Sequence, residues 1–229
     1  MRYQHIVAGT FQARPNRFIA RVTVNGQDEI CHVKNTGRCA ELLVPGARVY
    51  LESFPPDCPR KTKFDLVAVK KGTLLINMDS QAPNRAFGEF LRAGQLPALP
   101  APTLVKAECA HGSSRFDFYA EQGSRRAFLE VKGVTLEEEG LALFPDAPTL
   151  RGIKHIRELA LAAQEGFEAY AVFVVQMKGV HAFAPNLRTH PAFGQALQDA
   201  RAAGVHILAY DCRIAPDAMA IGQPVPVLL

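Results

Sequence analysis

A change of texture near residue 82 constrains this chain more than any other feature. Before it, the sequence reads as short strand-like runs: HIVAGTF, RFIARVTV, DEICHVK, ARVYLES, FDLVAVKK and TLLIN. These are rich in Val, Ile, Phe and Tyr, and the turn formers RPN, NG, PG, PPDCP and KKG separate them. From Arg17 to Val24 the residues alternate, with Phe18, Ala20, Val22 and Val24 on one face. Asn25-Gly26 tolerates positive φ at both positions and predicts a tight hairpin turn. Many short strands in so little chain predict a small closed or nearly closed β-barrel.

After Pro83 the periodicity changes. NRAFGEFLRAGQL spaces Phe87, Phe90 and Leu91 as a helix does, with Gly94 near its end. Strands follow at Val105–Ala110, Arg115–Ala120 and Ala127–Val131, then a segment, EEEGLALFPDAPTLRG, that reads as a loop. GIKHIRELALAAQEG and HPAFGQALQDARAAG read as helices, YAVFVVQM and VHILAYD as buried strands. Helices alternating with fully apolar strands predict parallel pairing in a mixed sheet covered by helices. The expected organisation is therefore a barrel over residues 1–82 and an α/β domain over residues 83–229.

Composition narrows the classes. At 48% hydrophobic residues the chain can build a core, and its longest apolar runs are too short to span a bilayer. Five cysteines, an odd number with no C-x-x-C pair, argue against a disulfide framework or a cysteine zinc site. A soluble, cytoplasmic protein with no membrane partner is expected. Charge is uneven: residues 1–82 hold 12 Lys and Arg against 7 Asp and Glu, the remainder 14 against 15. A basic front part suits an anionic partner such as nucleic acid, and equally a solvated surface. Arg14, Arg17, Arg38, Arg60, Lys61 and Lys63 are the residues that would line a barrel face for phosphate contacts.

Two predicted strands carry acids where apolar residues belong. Asp117 stands between Phe116 and Phe118; Glu130 stands between Leu129 and Val131, with Lys132 next on its own face. A buried carboxylate without a partner is costly. One answer is a salt bridge to Arg115, Arg125 or Lys132. Another is a divalent ion such as Mg²⁺ or Mn²⁺, which takes oxygen ligands and is often held by one or two carboxylates. A metal on Asp117 and Glu130 could activate water and steady a pentavalent phosphate, with Lys132 orienting the water or neutralising charge. In the loop that follows, Arg151 near a helix N-terminus could hold a phosphate or pair with Asp146. Glu137-Glu138-Glu139 reads as a solvated turn.

The acids on adjacent strands, followed by a helix and a buried strand, resemble the PD-(D/E)XK nuclease superfamily. That resemblance implies a catalytic set of Asp117, Glu130 and Lys132. It also implies a further acid from the preceding helix, with Glu89 the best candidate and Glu108 a poorer one, and a polar group from the next helix, Lys154 or His155. The resemblance narrows further. NTGR at 35–38, LLVPGARV at 42–49, RKTKFDLVAV at 60–69, SRFDF at 114–118, EVKGVTL at 130–136, ALFPDAPTLRGIKHIREL at 142–159 and ILAYDCR at 207–213 stand in one order. Together they resemble the sugar fermentation stimulation protein A family over nearly the whole chain. This implies an OB-like barrel, a nuclease-like α/β domain, double-stranded DNA as the partner and a regulatory link to sugar (maltose) metabolism. Three readings stay open: a largely sequence-nonspecific duplex DNA-binding protein, a Mg- or Mn-dependent DNA nuclease, and a protein-interaction module with a relict site. Oligomeric state is not readable.

Overall fold

The computed structural model describes residues 1–35, 37–55 and 57–229. Five strands open the chain: β1 (Ile6–Asn16), β2 (Ile19–Val24), β3 (Gln27–Val33), β4 (Arg48–Ser53) and β5 (Phe64–Lys71). They pair in the order β3-β2-β1-β4-β5, and β3 returns to β5 in parallel, so the sheet closes on itself as an OB-like barrel. Closure leaves no unpaired edge, the usual hazard of a small all-β unit. Phe11, Val22, Cys31, Leu51 and Leu66 fill the interior. A short β6 (Leu74–Asn77) folds back along β5.

The Asn25-Gly26 turn is present, with φ of +50° and +78°, and sets Val24 opposite Gln27. The preceding turn is displaced from its expected place. Arg-Pro-Asn is not a break: β1 runs through Pro15 to Asn16, where the β1–β2 register is irregular and a missing N–H is tolerated. The chain turns at Arg17-Phe18 instead. Asn16 Oδ1 accepts the amides of Phe18 (2.9 Å) and Ile19 (3.1 Å), the local bond that makes Asn a turn residue. Phe18 consequently leaves the alternating face and is 45% exposed.

The second domain continues with α1 (Ala82–Arg92), β7 (Leu104–His111), β8 (Ser114–Gln122), β9 (Arg125–Val134), β10 (Leu136–Glu138) and β11 (Leu141–Phe144). Then come α2 (Leu150–Gln164), β12 (Glu168–Val175), β13 (Ala182–Pro185), α3 (Pro191–Ala202), β14 (His206–Ala215) and β15 (Ala218–Pro224). The main sheet runs β15-β14-β12-β9-β8-β7. Its centre, β12, is parallel to both β9 and β14, and the flanking pairs are antiparallel. This is the mixed sheet that the apolar β12 and β14 segments predict. Along β9, Ala127, Leu129 and Val131 pack with α1, whereas Phe128 and Val134 join the cluster that contains α2 and α3. Glu130 and Lys132 therefore fall on the α2 side. Thr149 caps α2, its hydroxyl accepting the Gly152 amide at 3.0 Å.

Four strands were not expected. β10 and β11 form a hairpin inside the segment read as a loop, and β11 pairs with β13 in a three-stranded sheet. β15 covers the far edge of the main sheet. Glu137 is likewise no solvated turn: it is buried, and accepts Lys71 Nζ of the barrel at 2.7 Å. The first residues also lie with the second domain rather than the barrel: Arg2 bridges to Ala218, and the Tyr3 amide donates to Asp217 O at 2.8 Å.

The two units meet over buried polar groups. Gln176 Nε2 at the end of β12 lies 3.0–3.1 Å from Asn77 O, Asn77 Oδ1 and Asp79 O. Gly133 makes that approach possible, since a Cβ there would sit 2.5 Å from Gln176 Oε1 and 2.7 Å from Pro83 Cγ. No helix among the described residues is long and apolar enough to cross a membrane.

Candidate metal centre and nucleic-acid interface

The β8–β9 register sets Phe118 opposite Leu129, and one step further brings Asp117 opposite Glu130. The ladder opens there, because the Asp117 side chain takes the place of a backbone partner: its Oδ2 accepts the Val131 amide at 2.7 Å. Asn84 Nδ2, from α1, donates to Asp117 Oδ1 at 2.7 Å. Two neutral donors thus fix the carboxylate without cancelling its charge.

Glu130 is 2% exposed. Lys132 Nζ and His155 Nδ1 both bond to one of its oxygens, Oε1. The other, Oε2, is buried and has no partner among the described residues. An orphaned carboxylate oxygen in a protein interior calls for an explanation. Burial works to raise the Glu130 carboxyl, but the His155 bond and the Lys132 charge outweigh it and hold the group below its ordinary value. Asp117 goes the other way. Burial, then the charge of Glu130, push its carboxyl above the usual range. Two carboxylates share one site, one ionised and the other resisting ionisation beside it.

Around them lies a cleft of about 310 Å³, rimmed by Glu108, Arg115, Arg151, Thr149 and His155. Arg151 Nε sits 3.4 Å from His155 Nε2, on the far side of the ring from Glu130. The expected pairing of Arg151 with Asp146 does not form; Asp146 Oδ2 accepts the Arg38 amide at 3.1 Å. Of the two polar candidates on α2, His155 reaches the acids, while Lys154 Nζ donates to Ser113 O. The salt-bridge reading of Asp117 fails: Arg115 pairs with Glu108 at 2.8 Å and Arg125 with Glu168.

The order of the auxiliary acids is reversed from expectation. Glu89 does not line the cleft; its carboxylate takes the Met1 amine at 2.6 Å. Glu108 does line it, because the β7–β8 register carries Glu108 to the position opposite Asp117. Its φ of +55° marks a local departure from regular strand. Among the described residues, no group of three or more His, Cys, Asp or Glu side chains is arranged to hold a metal. The cleft offers Asp117 and the free Glu130 oxygen, a donor set that suits a hard cation keeping most of its waters. Both are carboxylate oxygens and Glu130 Oε2 lacks a partner among the described residues, so the residues present fit Mg²⁺ or Mn²⁺.

The basic barrel residues divide. Arg14 is no surface cation: its guanidinium donates to the carbonyls of Arg17, Asn35, Gly37 and Arg38, tying the NTGR segment to the barrel. Thr36 of that segment lies outside the described residues. Arg60 bonds Asp65 and covers the Phe54 ring, and Lys63 pairs with Glu29 at 3.2 Å. Arg17, Arg38 and Lys61 are exposed. Ion pairs and backbone carbonyls, invisible in a linear count of charges, take up three of the six expected residues.

Known proteins place this geometry. The model of the sugar fermentation stimulation protein N-terminal OB domain matches residues 13–78, and that of the RE domain of the same protein matches residues 81–218. A sugar fermentation stimulation protein homolog of Desulfitobacterium hafniense (strain DSM 10664 / DCB-2) is 55% identical, covering 100% of this chain and 99% of its own. One from Clostridium beijerinckii is 50% identical with 100% of both chains covered. Among solved structures, Pyrococcus furiosus SfsA in complex with Ca²⁺ superposes with a TM-score of 0.89 at 28% identity, over 100% of this chain and 98% of that one. The chain belongs to the sugar fermentation stimulation protein family.

Proposed function

We propose that the cleft is a divalent-cation site acting on the phosphodiester backbone of duplex DNA, and that the chain binds DNA with little sequence preference. The observation that carries this is the buried, unpartnered Glu130 Oε2 beside an Asp117 whose ionisation is disfavoured. Asp117 and Glu130 Oε2 would hold the cation. A bound Mg²⁺ or Mn²⁺ would supply Lewis-acid charge at the phosphate and an acidified water.

The remaining work belongs to the protein. Lys132 and His155 both hold Oε1, which leaves Oε2 as the Glu130 oxygen without a donor among the described residues. Val131 N and Asn84 hold Asp117 in place. Lys132, with hydrogens to spare beyond its bond to Glu130, is placed to neutralise charge that grows on the phosphate in the transition state. Arg151 at the rim is placed to hold a phosphate, as the exposed Arg17, Arg38 and Lys61 are on the barrel. That P. furiosus SfsA is named as a Ca²⁺ complex supports a hard-cation site in the family. An influence on sugar metabolism would act through this DNA contact, in the cytoplasm.

Incubation of duplex, single-stranded and branched DNA with Mg²⁺ or Mn²⁺ tests it. Cleavage is expected, with Lys132→Ala lowering turnover by about 10²–10³-fold while DNA affinity stays nearly unchanged. Cation binding and DNA binding without any cleavage would reduce the protein to a binding module; absence of both would end the proposal.

A further inference from the structure

The acid cleft has a neighbour. Phe144 and Thr149 line both it and a second cavity of about 320 Å³ that opens between the barrel and the second domain. That volume is at the small end for ligand pockets and suits one nucleoside rather than two. Its walls are mixed. Phe144, Pro145 and Pro148 give flat apolar surface, while Asn35 of the barrel and Asp146 of the second domain give polar groups.

Those two side chains converge because residue 37 has none. A Cβ on Gly37 would collide with Asp146 Oδ2 and stand 2.9 Å from Asn35 Oδ1. Asn35 Oδ1 accepts the Gly37 amide at 2.8 Å, which turns the Nδ2 hydrogens the other way. Asp146 Oδ2 takes the Arg38 amide, and its second oxygen takes no hydrogen from a described residue. A carboxylate acceptor and an amide donor therefore stand side by side in a cavity that shares the walls Phe144 and Thr149 with the proposed phosphate site.

We infer that this cavity receives one unpaired nucleobase next to the phosphate at the acid cleft, and that it prefers guanine. The inference rests on the phosphodiester reading above and names its substrate class: DNA with an unpaired or extruded nucleotide. Guanine alone among the DNA bases offers two adjacent N–H groups, N1–H and N2–H, to a carboxylate, together with an O6 acceptor for an amide donor. The apolar walls would sandwich the ring, as enzymes that handle extruded bases do. A base in a continuous duplex stack cannot enter a pocket between two domains, so extrusion or a pre-existing bulge is required.

Fluorescence anisotropy of labelled duplexes carrying one unpaired G, A, C or T, in Ca²⁺, reads the preference directly. The unpaired-G duplex should bind about tenfold tighter than the others and than the fully paired duplex. Asp146→Asn should erase the difference among the four bases while leaving affinity for the paired duplex unchanged. Because Asp146 also holds the Arg38 amide, Leu136→Trp, which adds bulk to the cavity from β10 and leaves Asn35 and Asp146 unchanged, provides a second test and should equalise all five duplexes. For each variant, an intact Mn²⁺-induced rise in melting temperature shows that the acid cleft has folded. Equal binding of all five duplexes by a wild-type protein that shows the Mn²⁺ rise would overturn the base pocket and leave the phosphodiester reading standing. No Mn²⁺ rise and no DNA binding would overturn both.

Discussion

Asp65 and Asp79, at the junction of barrel and second domain, are buried as Glu130 is in the cleft, yet the two regions neutralise their acids differently. Lys34 lies 2.6 Å from Asp79 and 3.9 Å from Asp65, and Arg60 and His32 complete Asp65. Tyr3 OH and the Gln81 amide complete Asp79. Every acid there has a cation within the fold. In the cleft, Lys132 and His155 crowd onto one oxygen of Glu130, Asp117 receives only neutral donors, and Oε2 receives nothing. The junction is a finished structure that joins two domains. The cleft, on the reading proposed above, is completed by a cation from solution.

If that contrast is right, the junction should fail when its cation is removed. Lys34→Met leaves the buried Asp79 carboxylate without its cation and should cost about 3–5 kcal/mol in urea unfolding. Lys132→Met should cost clearly less, because His155 remains on Glu130. Equal costs would mean that the two regions are built alike.

A smaller effect separates them by ligand. Mn²⁺ at a hundred times its Kd should stabilise the wild type by about 2.7 kcal/mol, read as a rise in melting temperature. Asp117→Asn should abolish that rise. Without the ion, the same variant should be at least as stable as wild type near neutral pH, since it relieves the repulsion between the two acids. The pH dependence has a defined sign. Asp117 is raised in the folded protein, so the fold binds a proton there more tightly than the unfolded chain, and this contribution to stability fades as pH rises through the raised value. Protons and cation compete, so the Mn²⁺ rise should shrink as pH falls toward the raised Asp117 value. A rise that holds constant into acid would remove Asp117 from the ion.

The smallest effects concern the periphery. With Arg60 and Lys63 held in ion pairs, Lys61→Ala should lower the slope of log K against log salt for duplex DNA by about 0.9. Arg60→Ala should act mainly on stability. Glu89→Gln should leave Mn²⁺ binding unchanged, whereas Glu108→Gln, at the cleft rim, should shift it modestly. The reverse order would restore Glu89 to the site.

What the sequence disclosed and what it hid follow from distance along the chain. Asp117, Glu130 and Lys132 were legible because acids and an amine break a period-two apolar pattern on two neighbouring strands. The barrel was legible because turn formers recur between alternating runs, although Asn16 rather than Pro15 sets the first turn. β13 and β11 were not, since four residues carry no usable period. Glu89 looked apt because it precedes the strands on a helix. Nothing local says that its carboxylate meets the Met1 amine, or that β7 carries Glu108 opposite Asp117. Nor could spacing show that Arg14 spends its donors on carbonyls of the NTGR segment, 21 to 24 residues away for three of the four. These are pairings between distant parts of the chain, decided by topology.

The central claim is that the cleft lacks one cation and has a place for it. A crystal grown with Mn²⁺ and measured at the manganese absorption edge tests it most directly. The account predicts an anomalous peak between Asp117 and Glu130 Oε2, with Lys132 and His155 still on Oε1. A map without that peak, in which Oε2 is instead met by Lys132, Arg115 or Arg151, would show the acids neutralised from within and contradict the account.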